Sequence, residues 1–369
     1  MPRFQPPRIH CHDNPHTRQV VDSLQRLHQP FRPTPWLFSP HLQLVYLTAR
    51  KKRRERPYDH VEPLTMADGG HTALYWLGYH LPPETPTIVV MHTLTGDPQS
   101  MQELVSDLHV GTGWRVVLCV RRGHAGLPLP VAKINILGST QDLREQLQHI
   151  RRHFPDSPLH ALGSSAGSGL LVRYLGEEGD ASVFRSAFAY CPGYNTDIAF
   201  GKAHPFYSRL LAKKLVEYFI TPHAAKLAHL PTAIRLENAR DLAEFHQHMY
   251  ELAGYGSYAE YDAASNPMRV FSNISTPLMV LNSEDDPVCR IDNIDPYREA
   301  MGQMPNVILI TTTQGSHCAH YEGWTAQSWA GRLMGEYFLA TERLAAGQGV
   351  PGPVMQPVPH HSGGSISGA

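Results

Sequence analysis

The chain has 369 residues, with 32 Lys and Arg against 33 Asp and Glu and a formal net charge of −1. That length allows one large domain or two ordinary ones around a sizeable core, and the balanced charge gives no electrostatic footprint for nucleic acid. There is no apolar run long enough to span a bilayer, and the opening MPRFQPPRIHCHDNPH lacks the apolar segment of a secretory signal, so a cytoplasmic protein is expected.

Residues 1–35 are rich in Pro, His and Arg and are expected to lie extended over the surface. Cys11, Cys119, Cys191, Cys289 and Cys318 form no C-x-x-C pair and read as reduced thiols. His10, His12 and His16 have no Cys or carboxylate pattern to complete a ligand set, so no metal or other cofactor is expected. The basic run Arg50–Arg56, RKKRRER, reads as a solvated loop or, alternatively, as a peripheral contact with anionic lipid head groups.

Short apolar runs then follow at TIVVM (87–91), RVVLCV (115–120), LHALG (159–163), SAFAY (186–190), PLMVLN (277–282) and NVILIT (306–311). They are too short for helices and almost continuous in hydrophobicity, as strands covered on both faces are. Between them, TQDLREQLQHIRRHF places Leu143, Leu147 and Ile150 on one helical face, with Thr140 or Gln141 near the start. Strand and helix in alternation predict a mostly parallel, doubly wound α/β sheet. The interval from about 195 to 277 breaks that rhythm and reads as a helical insertion rich in aromatics. Residues 345–369 are Gly, Pro and Ser with little to bury, a tail expected to be disordered.

One stretch carries chemistry. In ALGSSAGSG (161–169), Gly163, Ser165 and Gly167 fit G-x-S-x-G between a predicted strand and a predicted helix. Such an elbow holds the middle serine on a strained turn, and the flanking glycines let strand and helix approach. Ser165 is therefore the candidate nucleophile, and Ser164 a packing neighbour. A serine needs a base and the base an orienting acid, and in this order of elements both come from later loops. The strand 277–282 runs into Glu284, Asp285 and Asp286, and the next strand into a loop with His317 and His320. An oxyanion would meet the backbone N–H of Ala166 and one from the loop His92–Gly96 after an earlier strand.

The chain is similar over roughly residues 31–340 to the α/β-hydrolase superfamily, and within it to the esterase-like AB hydrolase family four, which includes embryogenesis-associated plant proteins and fungal medium-chain acyltransferases. PWLFSPHLQLVYLTAR resembles the family's entry segment, and MADGGHTALYW its D-G-G hairpin. MHTLTG resembles H-G-L-T-G, RRGHAGLPL resembles R-G-C-A-G-S-P-L, and STQDLREQLQHI resembles T-x-D-L-R-x-x-x-x-H-I. ALGSSAGSG resembles the elbow G-F-S-L-G, LNSEDDPVC resembles N-A-x-D-D-P, and GSHCAHYEG resembles G-G-H-x-G-F-x-E-G. The resemblance implies an α/β-hydrolase domain over 36–344 with a helical cap near 195–277, and a triad of Ser165, Asp286 and His317. It leaves Asp285 and His320 as neighbours and places oxyanion donors at Leu94 and Ala166. Thr93 departs from the family's glycine, Ser164 from Phe, Ala166 from Leu and His124 from Cys.

The expected function is hydrolysis of medium- or long-chain acyl esters through an acyl-enzyme, with a small-molecule acyl ester as the partner. Two alternatives stand beside it: an alcohol O-acyltransferase using the same triad, and a non-catalytic ligand-binding or scaffold protein that keeps the fold. Nothing in the sequence sets the oligomeric state.

Overall fold

The computed structural model describes residues 4–51 and 58–347. The six apolar runs are strands: β4 (Thr87–Met91), β5 (Arg115–Val120), β6 (Leu159–Ser164), β7 (Phe184–Tyr190), β8 (Leu278–Ser283) and β9 (Val307–Thr312). Three more complete the sheet, β1 (Arg8–Cys11), β2 (His60–Thr65) and β3 (His71–Leu77), in the order β1-β9-β8-β7-β6-β4-β5-β3-β2. The six central strands run parallel, while β1, β2 and β3 join antiparallel. Every residue of β4, β5, β6, β8 and β9 is buried, as unbroken hydrophobicity requires of strands covered on both faces.

From β5 the chain crosses to the far side of β4 and works outward through β6, β7, β8 and β9. The carboxyl ends of β4 and β6 therefore flank the point where strand order reverses, the place where such sheets open a crevice. The helices around the sheet are α1 (Pro15–Ser23), α2 (Pro40–Lys51), α3 (Pro98–Thr112), α4 (Thr140–His153), α5 (Ala166–Glu178) and a C-terminal helix, Trp329–Ala345. In α4 the expected face of Leu143, Leu147 and Ile150 is buried, and the cap is Ser139, whose side chain accepts from the Asp142 N–H.

The N-terminal segment departs from the expectation of an extended surface strap. β1 pairs with β9, and Val20, Leu24, Leu27 and Phe31 are buried against the sheet and the C-terminal helix beside Leu333, Met334 and Phe338. Those four residues recur at spacings of four, three and four, a helical stripe that the surrounding Pro and His obscure. The interval 195–277 contains α6 (Thr196–Lys202), α7 (Pro205–Leu215) and several shorter helical turns. It has its own apolar cluster around Leu215, Phe219, Phe245 and Tyr261, shared with Leu94, Ile134, Ile136 and Leu137 from loops of the sheet.

Of the basic run, Arg50 turns inward: it ion-pairs with Glu103 at 2.7 Å and donates to the Ala326 carbonyl at 2.9 Å. Residues 52–56 lie outside the described residues, as do residues 348–369 of the expected tail. All five cysteines are free, and among the described residues no helix is long and apolar enough to cross a membrane.

The burial of the N-terminal stripe gives a test. Leu24→Ala is expected to cost about 3 kcal/mol, read as a lowered urea midpoint; a change below about 0.5 kcal/mol would mean that the segment only rests on the surface.

Candidate active site

β6 ends at Ser164, α5 begins at Ala166, and Ser165 stands between them with φ 52° and ψ −117°. A non-glycine residue in that region is strained and persists only where its surroundings enforce it. The enforcement is visible: a Cβ on Gly163 would lie 2.4 Å from the Gly167 carbonyl oxygen, and one on Gly167 would lie 2.2 Å from that of Met91. The turn aims Ser165 into the crevice, whereas Ser164 is buried with its Oγ 3.6 Å from the Cys318 Sγ.

The structure brings Ser165, His317 and Asp286 together. The Ser165 Oγ is 2.8 Å from His317 Nε2, and His317 Nδ1 is 2.7 Å from Asp286 Oδ2. The other oxygen of Asp286 accepts the N–H groups of Val288 and Cys289 at 2.7 and 2.9 Å, which fixes the carboxylate. A carboxylate can only accept, so in the neutral ring His317 Nδ1 carries the proton and Nε2 offers a lone pair to the serine hydroxyl. Burial alone would lower the His317 pKa, but the Asp286 carboxylate and the sulfurs of Cys318 and Cys289 prevail and raise it well above 6.5.

Asp285 and His320 serve the loop. Asp285 Oδ1 accepts the Ser316 N–H at 2.7 Å and also the Ser283 hydroxyl, tying the end of β8 to the residue before His317. Burial raises the pKa of Asp285. His320 is buried between the Tyr190 hydroxyl at 3.0 Å and the Thr312 hydroxyl at 2.9 Å, and burial with the neighbouring His317 pulls its pKa down to about 3, so it stays neutral.

The loop after β4 is held from below by a group the sequence reading passed over. Arg121, just past β5, is buried and donates to the carbonyls of His92 and Thr93, both at 2.8 Å. Among the described residues no carboxylate pairs with it, and burial lowers its pKa to about 9. The His92 Nε2 accepts the Arg121 N–H at 3.2 Å, leaving Nδ1 to donate to the Thr93 carbonyl at 2.9 Å. His124 packs against His92 with the two rings tilted 59° to each other, and its Nε2 is 3.1 Å from the Leu94 carbonyl. Thr93 is not among the residues with positive φ, so the threonine needs none of the freedom that glycine gives. Thr93, Leu94 and Ala166 line the same cavity as Ser165. The only sequence signal for Arg121 is a second arginine at the end of an apolar strand.

Its neighbour Arg122 explains three of the motifs as architecture. Arg122 binds Asp142 through two nitrogens at 2.7 and 2.6 Å and Asp68 at 2.8 Å, joining the hairpin, the β5 loop and α4. A Cβ on Gly70 would sit 2.1 Å from the Arg122 guanidinium, which accounts for that glycine of the hairpin.

Above Ser165 opens a cavity of about 710 Å³. It is bounded on the insertion side by Ala199, Phe200, Leu211 and Tyr255, and it continues beneath, past Val280 and Leu278 of β8 to Met268, Phe271, Met301, Met304 and Val307. It thus reaches from Ser165, beyond the carboxyl end of β6, to Leu278 and Val307, the first residues of β8 and β9. Among the described residues two groups could hold a metal by proximity, Cys191 with His317 and Cys318, and Glu62 with His149 and His153; the donor atoms in each lie within 4.8 Å of one another. His10 is in neither, and its Nε2 is 3.1 Å from the Arg298 carbonyl.

Arg121→Met would strand two buried carbonyls. A loss of about 2 kcal/mol in urea unfolding is expected, while Arg121→Lys should recover part of it; full stability of the Met variant would show that the cation does not support the loop.

The family described as alpha/beta hydrolase fold matches residues 86–323. The chain is 27% identical over 290 residues to the medium-chain fatty acid ethyl ester synthase/esterase 2 of Saccharomyces cerevisiae, covering 71% of this chain and 63% of that protein. It is 26% identical over 328 residues to the phospholipase ABHD3 of Bos taurus, covering 85% of this chain and 78% of that one. Among solved structures, a Staphylococcus aureus protein of unknown function aligns with a TM-score of 0.50 at 11% identity, over 78% of this chain and 99% of that one, a likeness of fold alone. With its parallel sheet, its strained serine turn and a family match across most of the central sheet and the insertion, the chain belongs to the alpha/beta hydrolase family.

Proposed function

We propose that the protein hydrolyses carboxylic esters of medium or long acyl chains through a covalent acyl-enzyme on Ser165. One observation carries this reading: an unbroken hydrogen-bonded path from the Ser165 hydroxyl through His317 to buried Asp286, opening into a long apolar cavity. A binding scaffold would have no need of the path or of the strain at Ser165. The printed names of the yeast and bovine relatives, an ester synthase/esterase and a phospholipase, support chemistry on acyl esters.

In the first half-reaction the Ser165 Oγ attacks the ester carbonyl as His317 Nε2 takes its proton. Asp286 holds the ring and offsets the imidazolium charge. The backbone N–H groups of Leu94 and Ala166 stabilise the oxyanion, the latter with the positive end of the α5 dipole behind it. His317 then returns the proton to the leaving alcohol. Water, deprotonated by the same nitrogen, attacks the acyl-enzyme and releases the acid. An alcohol in place of water would give ester synthesis, and product analysis in the presence of ethanol separates the two.

Ser165→Ala should lower ester turnover by a factor on the order of 10³ or more and abolish labelling by a fluorophosphonate probe. Ser164→Ala should keep most of both. Equal loss from the two changes would remove Ser165 from its role.

Only the neutral imidazole is a base, so kcat/KM should rise with pH. Because the folded His317 pKa is raised, the inflection is expected above 6.5. A profile that is flat, or that falls, across that range would contradict His317 as the base.

The deep end of the cavity sets acyl length. Met304→Trp, which narrows it, should shift the preferred p-nitrophenyl ester toward shorter chains while leaving the acetate rate within about twofold, since each methylene denied burial forfeits about 0.8 kcal/mol. An unchanged chain-length profile would place the acyl group elsewhere.

A further inference from the structure

β2 and α4 meet at one margin of the sheet, on the side away from the cavity mouth residues of the insertion. Side chains alternate along a strand, so Glu62 shares a face of β2 with Leu64, and Leu64 packs in one apolar cluster with Leu143, Leu147 and Ile150 of α4. On α4, His149 and His153 are four residues apart and share one face of the helix. The three side chains converge. Glu62 Oε1 is 3.0 Å from His153 Nε2 and 3.6 Å from His149 Nδ1, and one donor atom from each residue lies within 4.8 Å of the others. Glu62 and His149 are half-buried and His153 is exposed, so an ion reaches them from solvent.

A hydrogen bond between Glu62 and His153 accounts for only part of this arrangement. The contact to His149 is longer than a hydrogen bond, and among the described residues Glu62 Oε2 is buried with no hydrogen-bond partner. Ligands about 2.0 Å from a tetrahedral ion stand about 3.3 Å apart, and the two contacts of Glu62 Oε1 fall on either side of that spacing. Two imidazoles with one carboxylate suit zinc and its late first-row neighbours, whereas magnesium and calcium demand oxygen donors. The ligands are also pre-set. The His153 ring lies against Trp76, Tyr79 and Phe154, with centroids 6.5, 6.0 and 6.2 Å away. Its Nδ1 is 3.5 Å from the Tyr79 hydroxyl, an acceptor for the N–H of the tautomer whose Nε2 lone pair faces Glu62. The group of Cys191, His317 and Cys318 is a poorer site, because both ring nitrogens of His317 are engaged by Asp286 and Ser165.

We propose that Glu62, His149 and His153 form a site for one divalent late transition-metal ion, zinc above all, with water completing the tetrahedron. The ion clips β2, the last strand of the sheet, to α4. None of the three residues lines the cavity above Ser165, so the ion acts on the fold, and its test is independent of the proposed hydrolysis.

The test is isothermal titration calorimetry of the full chain with zinc chloride, with magnesium chloride alongside. The parent should bind one zinc ion more per chain than the double variant His149→Ala with His153→Ala, and magnesium should not bind at this site. Glu62→Gln keeps an acceptor for the His153 N–H but not the charge, and it should weaken zinc binding here at least about tenfold. Zinc in excess over its Kd should lower the unfolding constant of the parent in urea at least about tenfold and leave that of the double variant unchanged. His149→Ala alone, at a half-buried surface position, gives the same readings should the double variant not fold. Equal zinc stoichiometry in parent and histidine variants, undiminished binding by Glu62→Gln, or zinc that binds without shifting the urea midpoint would each overturn the proposal.

Discussion

Two backbone contacts too close for any side chain organise the site. Gly163 lets α5 start directly against β6, and Gly167 lets its first turn rest on the Met91 carbonyl at the end of β4. Strand, turn, helix and the neighbouring strand are thereby locked within the thickness of a peptide unit. Ser165 has no relaxed conformation open to it inside that lock, and its φ of 52° is the consequence. The same lock brings the loop after β4 and the N-terminus of α5 to the cavity that Ser165 lines.

Around that core the supporting shell is unusually charged for its depth. Arg121 holds the β4 loop by its carbonyls, Arg122 ties three segments through two carboxylates, and Asp285 fixes the turn before His317. Each of these charges is hydrogen-bonded, although the Nε of Arg121 is buried without a partner, and those bonds offset the cost of burial. Such groups give little net stability over an apolar core, but they hold loops in one register. Loops that must present backbone groups, and cannot pack a core of their own, need that kind of fixation.

Much of this was legible in the sequence, for physical reasons that vary by element. The central strands announce themselves because covered strands must be apolar throughout, and the elbow because two close approaches require glycine at fixed spacing. The pairing of Asp286 rather than Asp285 with His317, the burial of His320 and the cradle of Arg121 depend on tertiary distances that spacing does not encode. Residues 1–35 misled for a different reason: Pro and His dominate their composition, while four apolar residues at helical spacing dominate their energetics. At Thr93 the departure from the family's glycine has no backbone consequence, since its φ is not positive.

The pairing of β1 with β9 has a bearing on solubility. β9, VILITT, is a fully buried, uncharged, β-branched strand. Without β1 its outer row of N–H and C=O groups would be an open template for any extended chain. β1 occupies that row with a short segment bearing Arg8 and His10, and Arg8 adds an ion pair to Glu284 at 2.7 Å. At the opposite margin β2 carries Glu62 and Pro63, and proline cannot donate to an added strand. Both margins of the sheet are thus closed to growth, and loss of β1 would leave β9 as an adhesive edge.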